Sequence, residues 1–177
     1  MHFGKGGSLY ASYFIFIKCA GAYSDADMLL RFGLTDYQRV PAPLDFGPYV
    51  CLMEDSEWTH IADDWSYTLW HRPSTWETIA EIAKDHDVFA CSIGDCDYSW
   101  QFVYYRHGRL LRKYVVDDPH YQKGGMLVED FGIPLEGETE AKKQTDELGT
   151  VLTIAASLGI DVAHRTKEIR VYAPLVK

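Results

Sequence analysis

The chain has 177 residues, 47 % of them hydrophobic, and a formal net charge of −9 at neutral pH. A chain of this length and composition can bury an apolar core of its own, which excludes an intrinsically disordered protein. Nucleic acids and anionic membrane surfaces are bound through Lys and Arg, so the negative charge argues against both as the main partner. We expect one soluble domain that spans residues 1–177, because no stretch is long and apolar enough to cross a bilayer.

The first half of the sequence predicts one buried strand, a short helix and three further strands. Aromatic and β-branched residues over Ser12–Cys19 are typical of a core strand. Ser24 and Asp27 form a capping pattern, which predicts that a short helix begins there. Three strands follow, and the last two form a predicted hairpin with an acidic tip: Tyr49–Glu54, Trp58–Ala62 and Trp65–His71.

The second half predicts two longer helices, an antiparallel meander and a final strand. The helices are indicated by the capping box Ser74-Thr75-Trp76-Glu77 and by apolar residues at helical spacing over Asp146–Leu158. His107-Gly108 predicts a two-residue hairpin turn, because Gly tolerates a positive φ. Residues 117–143 are polar and rich in Gly and Pro, and we predict a long irregular excursion there. The predicted strands of this half are Val88–Ile93, Trp100–Arg106, Arg109–Val116 and Lys167–Tyr172.

The order of these elements predicts an α+β fold. The hairpin requires antiparallel pairing, and helices and strands alternate too irregularly for a doubly wound parallel sheet. We therefore expect a mostly antiparallel sheet with about three helices packed on it, all of them over one face.

Two histidines and two carboxylates lie close together in the sequence, at His60, Asp63, Asp64 and His71. Imidazole and carboxylate groups ligate divalent metals and serve in general acid–base chemistry. One hypothesis is therefore a metal-assisted hydrolase that uses these four residues. The alternative is that Asp63 and Asp64 form a solvated hairpin tip without a metal. No phosphate-binding loop, nucleophile elbow or dinucleotide-binding motif occurs, so the sequence predicts no cofactor.

Aromatic residues are abundant, with 5 Trp, 12 Tyr and 8 Phe. A domain of this size can rarely hide so many rings, and Trp and Tyr are enriched in protein interfaces. We therefore predict an aromatic strand face that binds a partner, flanked by acids that steer the partner. Its residues are Trp65, Tyr67, Trp70, Trp100, Tyr104 and Tyr105, with Asp63 and Asp64. The alternative is that these rings form an ordinary core.

In its size, acidic charge and aromatic strands, the chain resembles the small single-domain proteins of bacteria that bind and neutralise toxin domains. The resemblance rests on these general properties. It implies a non-enzymatic binding role, immunity-like or regulatory, with a basic protein as the partner. A domain that binds a small ligand in a pocket of the sheet is a third hypothesis.

The cysteine content favours a cytoplasmic protein. Four cysteines are few for this length, which is typical of reduced thiols in a reducing compartment. Secretion is the alternative, because the apolar run Leu9–Ile17 precedes the small residues Ala20-Gly21-Ala22. Lys18 interrupts that pattern within the expected cleavage region, which favours the cytoplasm.

Overall fold

The computed structural model describes residues 2–3, 9–10, 13–41, 47–63, 68–94, 98–118, 125–144, 146–162 and 168–175. Four helices lie within these residues: α1 (Asp25–Arg31), α2 (Pro73–Ile82), α3 (Glu136–Ala141) and α4 (Glu147–Ser157). The strands are β1 (His2–Phe3), β2 (Leu9–Tyr10), β3 (Tyr13–Ile17), β4 (Tyr37–Val40), β5 (Val50–Glu54), β6 (Thr59–Asp63), β7 (Val88–Ile93), β8 (Trp100–Arg106), β9 (Arg109–Asp117), β10 (Met126–Gly132) and β11 (Arg170–Pro174). In this described part of the chain, every helix is too short or too polar to span a bilayer.

Nine of these strands form one antiparallel sheet in the order β10-β9-β8-β7-β3-β6-β5-β11-β4. β1 and β2 form a separate two-stranded sheet. β3 lies in the middle of the large sheet, because it pairs with β6 on one side and with β7 on the other. β10 and β4 are its two edges among the described strands. The α+β class and the antiparallel sheet predicted from the sequence are confirmed.

The central strand shows why helices cover both faces of this sheet. Phe14-Ile15-Phe16-Ile17 is apolar without a break, and all four side chains are buried. Ile15 and Ile17 share a core with α1 and α2, whereas Phe14 and Phe16 share a core with α3 and α4. We call the two sides the α1–α2 face and the α3–α4 face. The prediction that all helices lie over one face is wrong, because an unbroken apolar strand needs cover on both faces.

Local signals identified α1 correctly. The Ser24 hydroxyl accepts the backbone N–H of Asp27 at 3.1 Å, and the Asp27 carboxylate accepts the backbone N–H of Ser24 at 3.2 Å. α2 is also where it was predicted, but the capping box at Ser74 is wrong. Pro73 occupies the first turn and Arg72 caps the helix without a side-chain hydrogen bond, because the fixed φ and missing N–H of Pro fit that position.

The antiparallel meander is confirmed strand by strand. β7 and β8 have the predicted bounds, and β9 is one residue longer than predicted. His107 and Gly108 have φ values of 51° and 71°, so both turn residues lie in the left-handed region that a two-residue hairpin with matching twist requires.

The predicted strand Trp65–His71 is not found in its described part. Residues 68–71 form a turn, and Asp63 is the last residue of β6 and not part of a hairpin tip. The turn is held because one carboxylate oxygen of Asp63 accepts the backbone N–H groups of Leu69 and Trp70, at 2.8 and 3.2 Å.

The prediction for residues 117–143 also differs from the structure, since this segment contains β10 and α3. Met126-Leu127-Val128-Glu129-Asp130 does not alternate between apolar and polar residues, and so lacks the usual strand pattern. A β-bulge between Leu127 and Glu129 explains the lost alternation, because the extra residue shifts the register against β9.

Candidate functional site

The aromatic residues predicted to form one binding face do not lie on one face of the sheet. Trp70 is 4 % exposed and belongs to the core of the α1–α2 face, where its ring lies edge-on to Trp76. Tyr104 is 6 % exposed in the core of the α3–α4 face. Burial raises the pKa of Tyr104 to about 12, so its hydroxyl stays protonated. These two rings stabilise the fold from opposite sides of the sheet and do not form one exposed face.

The remaining predicted aromatics are divided in the same way. Trp100 packs against the α3–α4 core and Tyr105 packs against the α1–α2 core, and both are partly buried. The division follows from the strand geometry, since residues an odd number of positions apart point to opposite faces. Trp65 and Tyr67 lie outside the described residues.

The candidate metal ligands are also separated. His60 pairs in the sheet with Phe16, and Asp63 pairs with Tyr13, so the two side chains point to opposite faces of β6. Asp63 is 3 % exposed and holds the turn after β6, so it is not an acid that steers a partner. His71 is exposed beside the ring of Tyr13, and Asp64 lies outside the described residues. No group of three His, Cys, Asp or Glu side chains that could hold a metal occurs in the described residues.

His60 takes part in a buried hydrogen-bonded cluster around Asp55. Asp55 accepts the backbone N–H groups of Glu57, Trp58 and Asp161, and His60 Nε2 lies 2.9 Å from its second oxygen. Burial acts to raise the pKa of Asp55, but these hydrogen bonds outweigh burial and lower it. A carboxylate only accepts hydrogen bonds, so Nε2 of His60 carries the proton. The Asp55 carboxylate therefore joins the β5–β6 turn to the segment after α4, and the imidazole of His60 donates to that carboxylate from β6.

The most exposed apolar surface of the described chain lies on the edge strand β10. Large apolar side chains on this strand and just after it have exposed fractions between 49 % and 86 %: Met126, Leu127, Val128, Phe131 and Ile133. Leu127 pairs with Val116, which lies on the α3–α4 side, and Phe131 pairs with Lys113, which lies on the α1–α2 side. The strand is therefore apolar on both faces. We call residues 126–133 the β10 edge.

Arg112 of β9 fixes the position of the β10 edge from within. Its side chain is 1 % exposed, and its Nε and Nη2 each lie 2.7 Å from an oxygen of Glu138 on α3. Its Nη1 donates to the Asp130 carboxylate and to the carbonyl oxygens of Phe131 and Gly132. Arg112 thus joins β9, β10 and α3 through one guanidinium group, whose pKa its hydrogen bonds to Glu138 raise.

Both acidic residues of β10 form ion pairs with β9, and their side chains remain partly exposed, at 42 % for Glu129 and 49 % for Asp130. Asp130 pairs with Arg112, and Glu129 pairs with Lys113 at 2.6 Å. Gly132 closes the strand with a φ of 88°, and a Cβ there would collide with the carbonyl oxygen of Leu111. The strand is therefore held tightly on its inner side, while its outer side pairs with no described strand.

A cavity of about 340 Å³ lies beside this edge, at the end of the sheet where β3, β8 and β10 begin and β7 and β9 end. Four cross-strand partners line it: Tyr13, Ser92, Gln101 and Val115. The turn after β6 contributes Trp70 and His71, and β10 contributes Val128. The cavity thus connects the interior of the sheet end to the bulge of the edge strand.

The hydroxyl group of Ser99, which also lines this cavity, has a structural role. Ser99 Oγ donates to the Asp117 carboxylate at 3.3 Å and accepts the backbone N–H of Asp118 at 2.8 Å. These bonds tie the start of β8 to the end of β9. In a Ser–His–Asp triad the imidazole stands between the hydroxyl and the carboxylate, whereas here the carboxylate contacts the hydroxyl directly.

The β10 edge was not predicted from the sequence, although a signal for it was present. Three consecutive apolar residues, Met126-Leu127-Val128, stand between Gly125 and the acidic pair that follows. Short apolar runs flanked by Gly are consistent with a strand, but the polar composition of residues 117–143 as a whole outweighed the run. Comparisons with protein-family models, with curated proteins and with solved structures find no match for this chain.

Proposed function

We propose that this chain is a non-enzymatic protein-binding module that receives an extended segment of a basic partner protein on the β10 edge. The observation that carries the proposal is the exposure of large apolar side chains on both faces of an edge strand. Exposed apolar patches mark interaction sites, and an edge strand with an unpaired outer side is a template for a further strand. In such strand addition the backbone supplies affinity and alternate side chains supply specificity.

Charge supports a basic partner. The chain carries a formal net charge of −9, which attracts a basic protein over a distance and raises its association rate. Glu129 and Asp130 stand in the middle of β10, with apolar residues on either side. A partner strand that places Lys or Arg opposite these acids and apolar residues opposite Leu127 and Phe131 matches this pattern.

A second copy of the chain fits the edge less well. When two copies of β10 pair antiparallel over their whole length, the central Glu129 of one copy faces Glu129 of the other. Like charges directly opposite each other destabilise a strand pair. A different, basic protein is therefore the better occupant.

The test is capture of proteins from the native host's lysate on the immobilised chain, repeated over a salt series. Leu127→Lys adds a charge to the β10 edge, and Leu30→Lys makes the same change at an exposed leucine of α1. We expect the wild type and Leu30→Lys to retain the same basic protein, with less retained as salt rises. Leu127→Lys should lose that protein, because its ammonium group repels the partner and must be desolvated on pairing.

Circular dichroism and denaturant unfolding of both variants check that the fold is intact. Equal capture by the two lysine variants would show that the β10 edge is not the contact surface. Absence of a retained protein at every salt concentration would count against a protein-binding role as a whole.

A further inference from the structure

The cavity beside the bulge of β10 has the chemistry of a site for an organic cation. Its walls include the rings of Tyr13 and Trp70, whose centroids lie 5.5 Å apart, together with Trp100. The faces of such rings attract ammonium and guanidinium groups. Ser92 and Gln101 add neutral hydrogen-bonding groups to the lining.

The charge of the described lining is negative. Asp117 is its one carboxylate, and no Lys or Arg is among the described lining residues. Within the described part of the chain, Asp117 contacts the Ser99 hydroxyl and has no cationic partner. An anion would therefore meet a carboxylate without a compensating cation, whereas a guanidinium or ammonium group would form a charge-assisted hydrogen bond with it.

Val128 connects this cavity to the edge strand. It is the residue without a partner in the β9–β10 register, it is 62 % exposed, and it lines the cavity. Met126, two residues earlier, pairs directly with Asp117. A segment that pairs with the outer side of β10 therefore runs beside Val128 and is separated from Asp117 by the single strand β10, a distance that a lysine or arginine side chain can span.

We propose that this cavity receives an arginine or lysine side chain of the segment that pairs with β10. The inference rests on the proposed function, because it names the side chain by which the partner is recognised. Aromatic faces hold the stem and the delocalised charge, and Asp117 accepts from the terminal N–H groups. A free guanidinium or ammonium compound has the same chemistry, so the test must separate the two sources.

The first measurement is a titration followed by NMR, with Nα-acetyl-arginine methylamide as the probe and its citrulline counterpart as the neutral control. We expect the arginine compound to shift the indole N–H signals of Trp70 and Trp100 and the methyl signals of Val128. The citrulline compound should leave them in place.

Asp117→Asn keeps an oxygen that can accept from Ser99 but removes the charge, and should weaken binding about tenfold. Asp36→Asn, an exposed site with the same loss of charge, is the matched control and should leave affinity unchanged.

The second measurement repeats the lysate capture with the same two variants. We expect Asp117→Asn to reduce retention of the basic partner about tenfold, and Asp36→Asn to leave it unchanged. Shifts by the arginine compound together with full capture by Asp117→Asn would assign the cavity to a free cation and overturn the proposal. Equal shifts from the citrulline compound would overturn it as well, since charge would then play no part.

The two proposals fail in different ways. If Leu127→Lys abolishes capture and Asp117→Asn does not, the β10 edge binds the partner and the cavity inference is wrong. If Leu127→Lys leaves capture intact, the proposed function is wrong, and the inference about the partner's side chain falls with it. The titration with the arginine compound then still decides whether the cavity binds cations.

Discussion

The two edges of the sheet differ in how well they are protected against pairing with another strand. β4 has four residues, Tyr37–Val40, and its two exposed side chains are the polar Gln38 and Arg39. β10 has seven residues and presents apolar side chains on both faces. Edge strands invite pairing with other chains, and proteins commonly guard them with short length, charge or proline. β4 is short, carries the charged Arg39 and is followed directly by Pro41, whereas β10 is longer and both of its acids are paired with cations of β9.

The exposure of β10 does not result from loose packing, because the strand is fixed firmly against β9. Arg112 binds the strand through Asp130 and two carbonyl groups, and Gly132 lets its end approach β9 closely. A strand held this firmly on one side keeps a fixed, pre-organised outer edge, which lowers the entropic cost of adding a partner strand. Within the described residues, the ion pair formed by the β4 edge is Arg39–Glu168, and both of its side chains are exposed.

The largest expected effect comes from removing the buried anchor of β10. Arg112→Met keeps much of the side-chain volume but leaves Glu138, which is 8 % exposed, without its cation. Breaking a buried ion pair by removing one partner costs roughly 3–5 kcal/mol of unfolding free energy. Denaturant unfolding measures this loss. Hydrogen exchange should show β10 and α3 losing protection before the central strands do.

The matched control lies on the opposite edge. Arg39→Met removes an exposed ion pair, which is worth about 1 kcal/mol or less. The double variant Arg112→Met/Glu138→Leu should recover part of the lost stability, because no uncompensated charge then remains on α3. A loss below about 1 kcal/mol for Arg112→Met would contradict the anchoring role of Arg112.

A smaller effect is expected on the β4 side, at the ion pair that joins α1 to β11. Asp25 accepts from Arg170 Nε and Nη2 at 2.6 and 2.8 Å, and from the Tyr172 hydroxyl. Burial acts to raise the pKa of Asp25, but the hydrogen bonds from Arg170 and Tyr172 outweigh it and lower the pKa. Replacing this carboxylate by Asp25→Asn should cost about 1.5–3 kcal/mol at neutral pH, the usual contribution of hydrogen bonds to charged groups.

The pH dependence of that loss has a definite sign. A carboxylate whose folded-state pKa lies below its unfolded value contributes stability above the unfolded pKa, about 4 for Asp, and loses it as pH falls through the folded pKa. The difference in unfolding free energy between wild type and Asp25→Asn should therefore shrink as pH is lowered below about 4. Tyr172→Phe removes one of the hydrogen bonds and should give a smaller change of the same sign. A difference that stays constant with pH would contradict this account of Asp25.

The sequence predicted those elements that local chemistry decides. The His107-Gly108 turn and the Ser24 cap depend on residues within a few positions of each other, so their patterns identify them. β10 was missed because its bulge removes the alternation by which strands are recognised. The cover on both faces of the sheet was missed too, although the unbroken apolar run Phe14-Ile15-Phe16-Ile17 indicates it.

The candidate site was harder to predict, because burial depends on contacts between distant segments. Trp70 is buried through a turn that Asp63 holds and a contact with Trp76 on α2, and no local pattern specifies that arrangement. The separation of two candidate metal ligands could have been predicted from the sequence. Once His60 and Asp63 are placed on a single strand, their odd spacing puts them on opposite faces and separates two of the four candidate metal ligands.

The smallest effect on stability, and the sharpest contrast between the edges, is expected from a single added charge. Phe131→Lys places an ammonium group on the β10 edge, and Gln38→Lys places one on β4; both positions are exposed. Each should change the unfolding free energy by no more than about 0.5 kcal/mol. Light scattering over a concentration series should separate them, because an exposed apolar edge promotes association between copies at high concentration. Phe131→Lys should raise the concentration at which the chain associates, whereas Gln38→Lys should match the wild type, since β4 is already guarded.

An equal response of the two variants would contradict this expectation. It would mean that the exposed apolar residues of β10 do not determine how readily the chain pairs with other copies, and that the two edges differ in composition but not in their tendency to associate.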